Sequence, residues 1–265
     1  MILSVLAKGS RYETGKGVRM RVRFLGSGDA FGSGGRFNTC FLVSASSTTF
    51  LVDCGASSMV AMRRFGVDPN AVDTILVTHL HGDHFGGLPF FMLDAQLVSR
   101  RTKPLTLAGP PGFRERLHAA MENFFPGSTR TGRKFATEII ELEPEVRTAV
   151  SGIHVTPYVV SHYSGAPPFA LRIEADGKVL AYSGDTEWVE TLVPAARGAD
   201  LFICEAYFYE KKVKYHLDLR TLLDRIGDIG PKRLIVTHMS PDMLDRPPDD
   251  DLRYERAEDG LTVEV

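Results

Sequence analysis

Between Thr78 and His84 the chain reads Thr-His-Leu-His-Gly-Asp-His, and three of its eight histidines and one aspartate fall in six consecutive positions, 79 to 84. Imidazole and carboxylate are the usual ligands of zinc and similar borderline divalent ions. His79, His81, Asp83 and His84 are therefore candidate metal ligands. The residues just before them, 72–77 (Val-Asp-Thr-Ile-Leu-Val), read as a strand. The residues just after, 85–100, read as one apolar-rich helix. The cluster then lies on a strand-to-helix loop, where a rigid scaffold commonly presents functional side chains. Asp83 has a second reading as a helix cap, which leaves three histidines unexplained.

Stepping outward along the chain, residues 21–25 alternate basic and apolar side chains as a half-buried strand does. Residues 26–38 are glycine-rich and read as a loop. Residues 39–43 and 48–52 read as a hairpin. Asp53-Cys54-Gly55 ends it, and 57–65 reads as a helix closed by Gly66. Further strands are expected at 105–108, 137–142, 153–160, 169–174, 179–182, 201–206, 232–237 and 261–265. Further helices are expected at 112–124, 188–197, 217–226 and 249–256. No repeat or linker divides the chain, and periodicity alone supports a mixed α/β domain.

The histidine run resembles the H-x-H-x-D-H signature of the metallo-β-lactamase superfamily. The resemblance implies a four-layer αββα sandwich, with later metal ligands each standing directly after a strand. His162, Asp185 in Ser183-Gly184-Asp185-Thr186, and His238 occupy such positions. By themselves these would be ordinary loop or turn residues. The resemblance implies that His79, His81 and His162 hold one divalent ion and that Asp83, His84 and His238 hold a second. Asp185 would join both ions, and Asp53 would support the histidine loop from behind. Zinc is the first expectation, with manganese and iron suited to the same donors. A hydroxide shared by the two ions would be the nucleophile, oriented by Asp83. His118 and His154 are read as structural.

Three features resemble the ribonuclease Z branch of that superfamily. They are Phe24-Leu25-Gly26-Ser27-Gly28 with Arg36-Phe37-Asn38-Thr39, the Ser-Gly-Asp-Thr run, and Cys204-Glu205-Ala206-Tyr207 followed by His216. The last resembles a His-Glu-Ala-Thr segment, in which Glu205 would orient His216 as the acid that protonates the leaving oxygen. Cys204 and Tyr207 depart from that segment. The branch's transfer-RNA-binding arm also has no room, because only 22 residues separate His162 from Asp185. The expectation is a phosphodiesterase for a small or medium phosphodiester, with transfer RNA disfavoured. The alternative is a lactone or β-lactam hydrolase on the same site. A non-enzymatic metal-binding module fits the complete ligand set poorly. Related enzymes are often dimers, which makes a homodimer the carried-over expectation.

Composition sets bounds on these readings. The chain has 265 residues, 43% hydrophobic and 24% charged, with a net charge of -2. That supports a sizeable core and gives no global attraction to nucleic acid. Short basic runs at 100–103, 130–134 and 211–214 are candidate substrate contacts. No apolar run approaches the roughly 20 residues that span a bilayer, so no membrane partner is expected. Cys40, Cys54 and Cys204 are few and odd in number, which fits buried reduced thiols in a cytoplasmic protein. Met20 offers a second start. Residues 1–19 then form a dispensable or poorly ordered extension, or an added edge strand, and 20–265 a single metallo-hydrolase domain.

Overall fold

The strand-rich stretches build two sheets, which the computed structural model describes over residues 20–247 and 253–265. The reading of residues 1–19 lies outside the described residues. The first half of the chain supplies β1 (Arg21–Gly26), β2 (Cys40–Ser44), β3 (Thr49–Val52), α1 (Ser58–Arg64), β4 (Thr74–Leu76), α2 (Gly82–Phe85), α3 (Leu88–Leu97), β5 (Leu105–Gly109), α4 (Phe113–Phe124) and β6 (Thr137–Glu141). The second half supplies β7 (Thr148–Val150), β8 (Ile153–Val159), β9 (Phe169–Ala175), β10 (Lys178–Tyr182), α5 (Leu192–Ala196), β11 (Leu201–Glu205), α6 (Leu219–Ile229), β12 (Leu234–Thr237), α7 (Pro241–Leu244), β13 (Glu255–Arg256) and β14 (Thr262–Glu264). Among the described residues the sheet orders are β14-β1-β2-β3-β4-β5-β6 and β13-β12-β11-β10-β9-β8-β7. The chain thus returns at its end to pair β14 with β1.

Alternation along the strands fixes the layers. In β11, Leu201 and Ile203 face the core between the sheets, while Phe202 and Cys204 face the core under the helices. Phe24, Phe41 and Phe50 of the first sheet meet Phe169, Ile173 and Tyr182 of the second. The Phe41 and Tyr182 rings pack edge-on at 5.1 Å across that seam. Burying each such side chain contributes about 1.5–3 kcal/mol. On the first sheet's outer face Ile75, Val77 and Leu107 pack beneath Phe91, Leu117 and Met121 of α3 and α4. On the second sheet's outer face Phe202 and Val236 pack beneath Leu192 and Leu222 of α5 and α6. This is the four-layer αββα sandwich. No helix among the described residues is long and apolar enough to cross a membrane.

Several elements differ from the sequence reading. The helix expected over 85–100 is two helices, broken at Gly86-Gly87. A side chain at Gly87 would stand 2.3 Å from the Gly55 carbonyl oxygen, so the break lets the histidine loop lie against the end of β3. The helix expected over 188–197 shrinks to α5. The one expected over 217–226 starts later, where Asp218 caps it by accepting from the Thr221 N–H at 2.9 Å. Of the helix expected over 249–256, residues 249–252 lie outside the described residues, and Glu255–Arg256 is strand. β7 escaped the pattern because it is three residues long and joins β8 through a turn with Ser151 and Gly152 at positive φ. The basic run at 100–103 is only partly open, with Arg100 and Lys103 exposed. Arg101 is buried and donates to the carbonyls of Pro69, Lys103 and Pro104, and Lys103 pairs with Asp73.

Candidate metal centre

The expected ligands all follow strand ends at one edge of the sandwich. His79 to His84 follow β4, His162 follows β8, Asp185 follows β10 and His238 follows β12. Carboxyl ends of strands are where α/β sheets commonly bind ligands. Local backbone supports the placement. Gly184 takes φ 59°, and a side chain there would meet the Phe169 carbonyl oxygen at 2.6 Å, so Ser-Gly-Asp-Thr needs its glycine to bring Asp185 in. Asp53 and His238 sit at φ 59° and 57°, in the left-handed region that non-glycine residues seldom adopt. Such strain clusters at functional sites.

The structure gathers the ligand atoms of His79, His81 and His162 into one group, and those of Asp83, His84, Asp185 and His238 into a second, each within 4.8 Å. His81 Nδ1 and His162 Nε2 are 3.0 Å apart. His238 Nε2 lies 3.2 Å from Asp83 Oδ2 and 3.3 Å from Asp185 Oδ2. His84 Nε2 lies 3.2 Å from Asp185 Oδ1.

Neighbouring groups set the tautomers. His84 Nδ1–H donates to Asp53 Oδ2 at 2.7 Å, and His162 Nδ1–H donates to the Tyr215 carbonyl at 3.0 Å. Thr78 Oγ1 donates to Asp53 and accepts from His79 Nδ1 at 3.1 Å. In the neutral form each of these rings therefore carries its lone pair on Nε2, the arrangement that orients metal-ligating histidines. Asp53 also accepts from the Thr78 N–H at 2.8 Å, so one buried carboxylate ties strand end, threonine and histidine together.

The charge balance points the same way. Burial, with His84 close by, holds the His79 imidazole far below its ordinary value, and burial also lowers His162. Burial works against charge on Asp185, yet His238 and His84 overcome it and keep the carboxyl well below the usual range. Burial likewise opposes charge on His238, and Asp185 and Asp83 overcome it, raising the ring to about 9. Two ionised carboxylates surrounded by imidazoles make a cation site. His79 Nε2, His84 Nε2 and Asp185 Oδ1 are buried without hydrogen-bond partners. Each such atom left unmatched costs about 1–3 kcal/mol. A divalent ion would satisfy them, and the nitrogen and oxygen donors suit zinc-like ions.

The Glu205–His216 pair lies beside these groups. Glu205 is fully buried, accepts from the Thr186 N–H through Oε1, and takes the His216 Nδ1–H through Oε2 at 3.0 Å. Burial opposes charge on His216, but the Glu205 hydrogen bond and charge win and raise its pKa. Tyr207 stacks on the His216 ring at 4.8 Å. Glu205, His216 and His238 also converge within 4.8 Å. His118 is exposed on α4 and His154 half-buried on β8, and neither joins a group.

A pocket of about 210 Å³ opens over the centre, lined by Ala30, Phe31, His81, Asp83, His162, Asp185, Tyr207, His216 and His238. Sequence reasoning missed Phe31 and the roles of Thr78 and the Tyr215 carbonyl. No motif marks an exposed aromatic or a backbone oxygen. A larger groove of about 460 Å³, flanked by Lys232, Arg233 and Glu255, contains none of the ligand groups. The residues between His162 and Asp185 fold as the β9–β10 hairpin.

Comparison with known proteins extends this picture. Ribonuclease Z of Agathobacter rectalis is 25% identical over 261 residues, covering 79% of this chain and 84% of that protein. Ribonuclease Z of Methanothermobacter thermautotrophicus is 28% identical over 267 residues, covering 83% and 87%. Among solved structures, human short-form tRNase Z superposes with TM-score 0.75 at 22% identity, over 92% of this chain and 99% of that one. The metallo-β-lactamase fold protein YhfI of Bacillus subtilis gives 0.73 at 22% identity, over 93% and 100%. These superpositions identify the fold as that of metallo-β-lactamases. A family model described as Anti-Pycsar protein Apyc1 matches residues 20–254, a span that takes in every ligand loop, and the chain belongs to that family.

Proposed function

We propose that this protein is a dinuclear metal-dependent phosphodiesterase with ribonuclease Z-like chemistry. The observation that carries the reading is the buried Glu205 holding His216 at 3.0 Å beside the two ligand groups. In this reading His79, His81 and His162 hold one divalent ion, Asp83, His84 and His238 hold the other, and Asp185 serves both. Zinc is the first choice, with manganese or iron suited to the same donors. Bound there, such ions would supply Lewis acidity toward phosphoryl oxygens and a water acidified toward neutral pH.

The chain's own groups supply the rest. Asp83 lines the pocket and stays ionised, so it can accept a hydrogen bond from the attacking water and orient it. His216 carries a proton that Glu205 stabilises, and it delivers that proton to the departing oxygen. Phosphodiester cleavage expels an alkoxide and needs such a donor. Relatives named ribonuclease Z and a fold neighbour described as a diphosphatase of the PhnP family support phosphorus rather than carbon as the centre attacked. The pocket is below the roughly 300–1,000 Å³ of typical ligand sites, and the β9–β10 hairpin stands between His162 and Asp185 where an arm is expected for transfer RNA, which disfavours that substrate. A small or medium phosphodiester is the substrate class, and residues 20–265 act as one metallo-hydrolase domain.

The test is a substrate panel run with added zinc and with added manganese. Bis(4-nitrophenyl) phosphate should be hydrolysed, and a lactone and a chromogenic cephalosporin should be left intact. Turnover of the lactone or cephalosporin without phosphodiester hydrolysis would overturn the reading.

A further inference from the structure

Phe31 has no role in the chemistry described so far. Its side chain is 83% exposed, more than any other large apolar side chain among the described residues, yet it lines the pocket over the metal centre. A single exposed apolar side chain is unremarkable on a surface. Its backbone setting is not. Asp29 is fully buried and accepts from the Phe31 N–H at 3.1 Å, the Ser33 N–H at 2.9 Å and the Ser33 hydroxyl at 2.6 Å. The Asn38 side-chain amide donates to the Asp29 carbonyl at 2.9 Å. The loop is also closed by the Gly28 N–H donating to the Phe37 carbonyl at 2.8 Å. Asp259 accepts from the Ser27 N–H at 2.9 Å and the Phe37 N–H at 2.8 Å, locking both ends of the loop to the C-terminal segment.

A turn fastened at this many points fixes the backbone of Phe31 at the pocket mouth, so that only its side-chain torsions remain to be ordered on binding. The polar half of the pocket, His81, Asp83, His162, Asp185, His216 and His238, is the proposed metal centre, and ions held there would attract an anionic phosphodiester. The apolar half is Ala30, Phe31 and the Tyr207 ring, which comes from the other sheet. The pocket holds about 210 Å³, and Phe31 lines it while remaining largely exposed, so its ring stands at the boundary between pocket and solvent.

We propose that Phe31 is a stacking platform for a planar aromatic group carried by the phosphodiester, and so selects aromatic over aliphatic esters. This deepens the phosphodiesterase reading and rests on it for the identity of the anion. Stacking of a base on an aromatic side chain is lost on alanine substitution with a penalty that corresponds to roughly 10- to 100-fold in affinity.

The test uses two stable anions that differ by one ring, methyl phenylphosphonate and methyl methylphosphonate, titrated calorimetrically into zinc-loaded protein. The phenyl compound should bind the parent more tightly by roughly 10- to 100-fold. Phe31→Ala should remove most of that preference and leave the methyl compound within about twofold of its parent affinity, since no polar contact has changed. Phe31→Trp should restore the preference, and Phe31→Leu should not. Because the side chain is exposed, the melting temperature of Phe31→Ala should match the parent and exclude a folding defect. Equal affinities of the parent for both anions, or equal weakening of both by Phe31→Ala, overturns the proposal. A Phe31-dependent preference in a protein that hydrolyses no phosphodiester upholds it and removes the phosphodiesterase reading instead.

Discussion

At His216 one imidazole nitrogen is committed to Glu205 and the ring face is covered by Tyr207. The ring also lies 5.1 Å from His162 and 5.7 Å from His238, centroid to centroid. Its place is therefore fixed without its being one of the seven assigned ligands. In the proposed reading His216 is the general acid, and a positioned general acid accelerates proton-dependent bond breaking by roughly 10²–10⁴-fold. His216→Ala should accordingly slow a phosphodiester with an alkoxide leaving group by about that factor. It should slow a nitrophenyl ester far less, because nitrophenolate leaves without a proton. Glu205→Gln should show the same pattern more mildly, since it alters only the orientation and charge of the ring. Metal content measured beside the rates should stay at the parent value. Equal losses on both leaving groups would make His216 a substrate-positioning residue.

The elements matter through the contact between the end of β3 and the histidine loop. Cys54 N–H donates to the His84 carbonyl at 2.7 Å, Ala56 N–H to the Gly82 carbonyl at 3.0 Å, and Gly87 N–H to the Cys54 carbonyl at 2.8 Å. Gly55 lies inside this zipper. A side chain there would stand 2.1 Å from the Asp83 carbonyl oxygen and 2.5 Å from the Asn38 Cβ. The first of these is backbone of the ligand loop itself and cannot swing aside. Gly55→Ala should therefore cost about 1–3 kcal/mol, as overpacking does, and lower the melting temperature by roughly 2–10 °C. It should also weaken metal binding, because Asp83 and His84 move with the loop. Thermal denaturation with and without added zinc measures both effects. An unchanged melting temperature and metal content would mean that the two segments separate easily.

Across the whole molecule, each ligand group takes residues from both sheets. His79 and His81 come from the first sheet and His162 from the second. Asp83 and His84 come from the first, Asp185 and His238 from the second. Bound ions would then staple the two halves of the sandwich together as well as serve chemistry. A ligand present at 100 times its dissociation constant stabilises the native state by about 2.7 kcal/mol. Removing metal with a chelator should lower the melting temperature, and adding zinc should restore it. The same stabilisation should fade as pH falls, because the ligand imidazoles must be neutral to bind, and His238, raised against its burial to about 9 by Asp185 and Asp83, brings proton competition in above the ordinary histidine range. Elemental analysis of loaded protein should give about two ions per chain, the number a shared carboxylate serves, and Asp185→Ala should lose both. One tightly bound ion in fully loaded protein would sink the dinuclear arrangement.

The sequence by itself determined the local chemistry. His79 to His84 lie next to one another in the chain, so their spacing is visible without a fold. The strand before each late ligand is equally local, since periodicity acts over a few positions, whereas the need for glycine in Ser-Gly-Asp-Thr comes from the Phe169 carbonyl on a neighbouring strand. The αββα layering came from the family resemblance, and the tertiary structure bears it out. The break at Gly86-Gly87 was hidden because its cause, the Gly55 carbonyl, lies more than thirty positions earlier in the chain. Which strand ends would meet was also beyond local pattern. Asp83 and His238 touch across 155 positions, and only the order of strands in the two sheets brings them together. The same holds for Glu205 with His216, for the Tyr215 carbonyl behind His162, and for Phe31 at the pocket mouth. Those relations depend on long-range packing and on carbonyl and ring directions, which side-chain type does not encode.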